Sequence, residues 1–176
     1  MSYPDHGEPV ETAWQGKWIA VRRQGRWEYV ARTRGIRAVA ILAIDAGGVL
    51  LVEQYRVPLG RRCIELPAGL VGDTDAGDTP QSAAVRELEE ETGYTADRIE
   101  PIGEFHSSPG LVSEGFTLVR AHGLTRIGDG GGVDGEDILV HRVPMAEVPS
   151  FVVAKRAEGL AIDVKVLLLL APAILD

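Results

Sequence analysis

At 176 residues and a formal net charge of −8, the chain has room for one well-buried domain and is short for two. A composition of 45% hydrophobic and 25% charged residues is ordinary for a globular protein. The acidic balance argues against nucleic acid as a partner, since phosphate backbones need a basic footprint, although divalent cations can bridge an acidic protein to phosphate groups.

Residues 1–12 carry prolines and acids without periodicity and are expected to form a flexible arm. They lack a basic segment followed by an apolar core, so no signal peptide is expected. The longest apolar run, 166–175, falls well below the roughly 20 residues that cross a bilayer, and the cytoplasm is the expected compartment. Strand-like runs follow at 17–23, 26–33, 36–45 and 48–57. Trp18 and Trp27 fall in the first two, which the short "RQGR" turn would hold side by side. "AIDAGGVLLVEQY" reads as a hairpin with Asp45 to Gly48 as its turn. Cys63, the only cysteine, lies in "RRCIELPAG" and is expected to be a small buried side chain rather than a reactive thiol.

"GLVGDTDAGDTP" is a loop by its Gly, Asp and Pro content. It ends in Thr79-Pro80, an N-cap followed by proline at the first helical position. The helix predicted from there runs without a breaker to Gly93, a natural residue just past a helix end. "IEPIGEF", "FTLVRAHGL" and "DILVHRVP" are further strand candidates, separated by the glycine-rich "SSPGLVSEG" and "GDGGGVDGED". "MAEVPSFVVAKRAEG" and "IDVKVLLLLAPAIL" are expected to be helical despite Pro149 and Pro172. Strands around one central helix, with helices at the end, imply a mixed α+β fold, an α/β/α sandwich.

The helix carries the chemistry. On a regular α-helix Glu87 and Glu91 are four residues apart and Glu90 is three from Glu87, so the three share a face while Glu89 points elsewhere. Three glutamates alone most often make a solvated acidic surface. Carboxylates crowded within one turn, without nitrogen or sulfur donors, also suit a hard cation such as Mg²⁺ or Mn²⁺.

"RELEEETGY" resembles the core of the Nudix box, with Arg86, Glu87, Leu88, Glu90, Glu91, Gly93 and Tyr94 at its defined positions. Asp78 stands where the family has a glutamate. Gly69 of "LPAG" is the better match to the box glycine, which implies a loop three residues longer than usual; by count Gly72 would fill that place. The resemblance implies the Nudix fold with a mixed sheet. "EQYRVPLGRRCIELPAGL", "GYTADRIEPIGEFHSSPGLVSEG" and "IDVKVLLLL" look like the branch of ADP-ribose and ADP-sugar pyrophosphatases. That branch implies a small N-terminal β region, here 13–35, with dimer and base contacts, before a Nudix domain at 36–176, and an intertwined homodimer.

By the same likeness, Mg²⁺ would be held by Glu87, Glu90, Glu91 and the carbonyl of Ala68. Arg86 would orient a box carboxylate, and Glu90 stands with Arg86 among the expected catalytic residues. Glu136 in "GDGGGVDGEDIL" would activate water, with Asp134 as second choice. Trp18 and Trp27 would sandwich the base, one from each subunit in one version. Taken alone, a tryptophan in a strand is more often core. Arg56 would contact phosphate or ribose, Glu65 substrate or a metal-bound group, and Glu114 ribose or metal. The implied reaction is water attack on the pyrophosphate of ADP-ribose, giving AMP and ribose 5-phosphate. Alternatives are another nucleoside diphosphate compound, such as GDP-mannose or a dinucleotide, or a sensor that binds a nucleotide sugar without cleaving it.

Overall fold

The computed structural model describes residues 4–72, 77–133 and 135–170. The first sheet is antiparallel and three-stranded: β1 (Val10–Gln15), β2 (Ile19–Gln24) and β3 (Trp27–Arg32). β1 begins inside the stretch expected as an arm. Its polar positions find partners on β2, where Arg23 meets Glu11 at 2.6 Å and Arg22 reaches Thr12, so a segment with no apolar periodicity is still paired.

The second sheet is eight-stranded. β4 (Arg37–Asp45) and β5 (Gly48–Arg56) form the expected hairpin, with Ala46 at φ 47° and Gly47 at φ 75° in a two-residue turn. β6 (Arg61–Glu65) and β7 (Ala68–Val71) flank Leu66 and Pro67. After the helical segment come β8 (Tyr94–Phe105), β9 (Phe116–Arg126), β10 (Leu139–Pro144) and the short β11 (Ala161–Ile162). The order is β11-β6-β5-β4-β9-β8, with β10 added to β5 and β7 to β4. β4–β9 and β6–β11 are parallel and the remaining pairs antiparallel, so the sheet is mixed.

Alternation along the central strands splits the core into two layers. Val39, Ile41 and Ala43 of β4 pack with Ala83, Ala84 and Leu88 from the central helical segment. Ala40 and Leu42 pack on the other side with Val49, Leu51, Val148 and Val152. The last two belong to α2 (Val148–Ala157), and the result is the α/β/α sandwich that the sequence implies. Cys63 is buried as expected, and burial pushes its thiol up to about 12.

The central helix departs from expectation. α1 (Pro80–Glu87) starts as predicted: Thr79 and Ser82 form a reciprocal cap and Pro80 takes the first position. From Leu88 to Thr92 the chain widens into a π turn that closes at Gly93, φ 71°. The Thr92 hydroxyl donates to the Leu88 carbonyl at 2.5 Å and so competes with the regular helical ladder. The tail differs as well. Val164–Leu170 is a 3₁₀ helix started at Asp163, whose side chain accepts from the Lys165 N–H, and residues 171–176 lie outside the described residues.

Candidate active site

A cavity of about 450 Å³ opens where β4, β5, β6, β7 and the glutamate helix meet. It gathers Glu87, Glu91, Ala68, Arg56, Glu65, Glu114 and Glu136 from five separate stretches of chain. Glu91 is buried, at 5% exposure, and its carboxylate accepts the Ala68 N–H at 3.0 Å. Burial, then the neighbouring charges of Glu87 and Glu136, raises it to about 8, against the hydrogen bond from Ala68. Ala68 therefore meets Glu91 through its N–H. Glu87 lies over Gly69, where an added Cβ would stand 2.0 Å from the Glu87 carboxyl carbon. That contact makes Gly69 the glycine of close approach, in line with the "LPAG" match.

Arg86 holds this end of the site together. Its guanidinium donates to Asp78 at 2.8 Å, to the Leu70 carbonyl at 3.0 Å and to Glu87 at 3.4 Å. Asp78, shorter than a glutamate, reaches Arg86 and also accepts from Ser82. Burial works to raise the Asp78 carboxyl, but Ser82 and Arg86 hold it below the usual range. Residues 73–76 of the longer loop lie outside the described residues, as does Asp134.

Glu90 is not where the regular helix put it. Its side chain is exposed and does not line the cavity, because the wide turn advances each residue less around the axis than an α turn does. Its carbonyl instead accepts the Gly132 N–H at 2.9 Å, and the Glu91 carbonyl accepts that of Gly131 at 2.9 Å. The glycine run, in sequence a loop between two strand candidates, thus packs main chain to main chain on the end of the glutamate helix. A Cβ on Gly130 would stand 2.5 Å from the Thr92 carbonyl carbon. This docking carries Glu136 to the cavity, where its carboxylate accepts the Val133 N–H at 3.0 Å.

On the opposite wall Arg56 grips Glu65 with two parallel bonds of 2.6 and 2.8 Å. Glu65 is 5% exposed and faces the cavity rather than solvent. Glu114 is paired with Arg32 of β3 at 2.5 Å, which ties the first sheet to the cavity. Arg32, Gln54 and Lys165 also line it and were not expected. Gln54 was within reach, since it shares a strand face with Arg56 two residues on. Arg32 lies among several other arginines that composition cannot rank.

The tryptophans do not join this constellation. Trp27 pairs in register with Gln24, whereas the Trp18 carbonyl accepts from Thr33 at the far end of the same ladder. Within one chain the two cannot sandwich a base. Trp18 lies under Lys17 and Arg34, while Trp27 lines a second cavity with Tyr29, Pro109 and Val112.

The donors fit a hard divalent cation. They are oxygens only, and a buried carboxylate is crowded by two others with one backbone N–H as its hydrogen-bond donor. Among the described residues, no three such side chains already converge as a closed ligand set.

Comparison with known proteins agrees with the fold and the box. A NUDIX domain model matches residues 34–157. An ADP-sugar pyrophosphatase from Mus musculus is 37% identical over 86% of this chain and 79% of its own length. An ADP-ribose pyrophosphatase from Bacillus subtilis (strain 168) is 47% identical over 44% of this chain and 40% of its own. The chain spans about half the length of the first curated relatives it matches. A solved structure titled as an ADP compounds hydrolase shares the fold, with a TM-score of 0.70 at 22% identity over 94% of this chain and 91% of that one. Sheet, box helix and family match point the same way, and the chain belongs to the Nudix family.

Proposed function

We propose that the protein hydrolyses the pyrophosphate bond of ADP-ribose or a related nucleoside diphosphate sugar, giving AMP and a sugar phosphate. The observation that carries this reading is the buried Glu91 carboxylate, set beside Glu87 and Glu136 in a cavity whose other wall presents Arg56. The name of the 37% identical relative supports the substrate class. Hydrolases of this family are generally dependent on a divalent metal, and the oxygen-only donors favour Mg²⁺, with Mn²⁺ as a substitute.

Glu91 and Glu87 would hold the cation, joined by Glu90 once its side chain turns inward. Arg86 keeps Glu87 and Asp78 in place. When bound, the cation neutralises charge on the pyrophosphate oxygens. Arg56, with its second edge beyond the Glu65 pair, suits a phosphate or ribose oxygen. Glu136 takes the proton of the attacking water, one P–O bond of the bridge breaks, and each product leaves as a phosphate monoester.

A second copy of the chain is part of this reading. Val10, Trp14, Ile19 and Trp27 stand exposed on the first sheet, a pattern that supports a homodimer in which the partner adds base contacts. The lone buried cysteine supports a reducing compartment such as the cytoplasm.

The test is a panel of nucleoside diphosphate compounds assayed with Mg²⁺, with Mn²⁺ and with EDTA. ADP-ribose or another ADP-sugar is expected to turn over fastest, and EDTA to stop the reaction. Turnover that survives EDTA sinks the metal mechanism, and tight binding without turnover would make the protein a nucleotide-sugar sensor.

A further inference from the structure

Glu136 lies in a loop whose two ends are held differently. The upstream end is fixed by the Gly131 and Gly132 amides on the Glu91 and Glu90 carbonyls. The downstream end is fixed from β6. Arg62, which does not line the cavity, donates to the Asp137 carboxylate at 2.9 Å and to the Asp137 carbonyl at 3.0 Å. The same guanidinium donates to the Glu53 side chain at 2.8 Å and to the Glu53 carbonyl at 3.0 Å. Glu53 is itself immobilised on β5, at 5% exposure, by His141 at 2.9 Å and Lys155 at 3.4 Å.

Asp137 is the residue directly after Glu136 and sits at φ 48°, a left-handed conformation uncommon for non-glycine residues and adopted mainly by Asn and Asp among them. Two bonds from one planar fork to a single residue restrain both its backbone and its side chain. The next amide, that of Ile138, donates to the Gly131 carbonyl and closes the loop.

We propose that Arg62 is a positioning residue for Glu136, fixing the adjoining Asp137 to the buried Glu53 so that the Glu136 carboxylate is held beside Glu91 before substrate arrives. The inference rests on the reading of Glu136 as the group that activates water. It assigns a part in the chemistry to a side chain on β6 that reaches the site only through the loop.

The test compares wild type with R62M, R62K and D137N, each alone and in an E136Q background, using ADP-ribose and saturating Mg²⁺. Because a displacement of about 1 Å can cost up to 10²-fold, R62M is expected to lower kcat about tenfold with KM within about twofold. R62K should recover part of the loss, since it keeps the charge and lacks the fork. Asp137 is 79% exposed, and Asn tolerates its backbone angle, so D137N tests the contact without disturbing the core; a fall in kcat of about threefold is expected.

In the E136Q background none of the three should cause a further loss. Amide exchange across 131–138, measured without substrate, should quicken in R62M and D137N. An unchanged kcat, an equal loss in both backgrounds, or unchanged exchange would each overturn the inference. A wild-type rate for E136Q removes the base assignment and the inference together. A slow E136Q with unaffected R62M and D137N removes the inference alone.

Discussion

Glu91 is the residue whose environment conflicts most with its charge. Buried, and facing the charges of Glu87 and Glu136, its carboxyl is raised to about 8 from an ordinary 4.5. A carboxyl raised on folding binds its proton more tightly in the native state, so its contribution to stability is full below 4.5 and lost as pH climbs through about 8. Metal-free protein in EDTA should therefore show a melting temperature that falls across this window, and the fall should shrink in E91Q. Added Mg²⁺ should restore stability at pH 8, because a cation replaces the proton. The same substitution should cut turnover about a hundredfold or more while leaving the far-UV circular dichroism unchanged. A pH profile of melting identical in the two proteins would show that the strain attributed to Glu91 is absent.

The elements explain why these charges meet at all. Gly69, the second residue of β7, is where Glu87 rests, and G69A would set a methyl 2.0 Å from the Glu87 carboxyl carbon. Since the obstructed atoms end a flexible side chain, the fold should survive. The Mg²⁺ concentration for half-maximal activity is expected to rise about tenfold, read from a metal titration at fixed substrate. The start of α1, the β4–β5 hairpin and the burial of Cys63 were legible because each follows from local chemistry: a cap with proline, a two-residue turn, a thiol between apolar neighbours. The place of Glu90 was not legible. A regular helix is the default for "PQSAAVRELEEET", and the wide turn that moves Glu90 outward depends on one hydroxyl and on a glycine run some forty residues downstream. Glycines at 130–132 signal chain reversal and close approach equally well, and only the fold shows which one they serve. The pairing of Arg62 with Asp137 joins residues 75 positions apart, beyond any local pattern.

At the scale of the molecule, the first sheet touches the rest through the main-chain bonds of Val30 with Leu111 and Ser113 and through the ion pair of Arg32 with Glu114. Its Trp14 and Trp27 are 55% and 52% exposed, large apolar faces that a second copy would cover. W14E combined with W27E should convert a dimer into a monomer by light scattering and weaken ADP-ribose binding, with the melting of the larger sheet little changed. A monomeric wild type would remove the dimer from this picture. The topology of the larger sheet also sets an order of events during synthesis. β4 forms its hairpin with β5 at once, but its parallel neighbour β9 ends only at Arg126. Ile41 and Val39 thus leave the ribosome before the helical segment that covers their side chains, and long before β9, which pairs their backbone, has been made. Folding of the central layer must wait on this distant pairing, which makes the nascent chain, more than the finished protein, the form most exposed to aggregation and to chaperones.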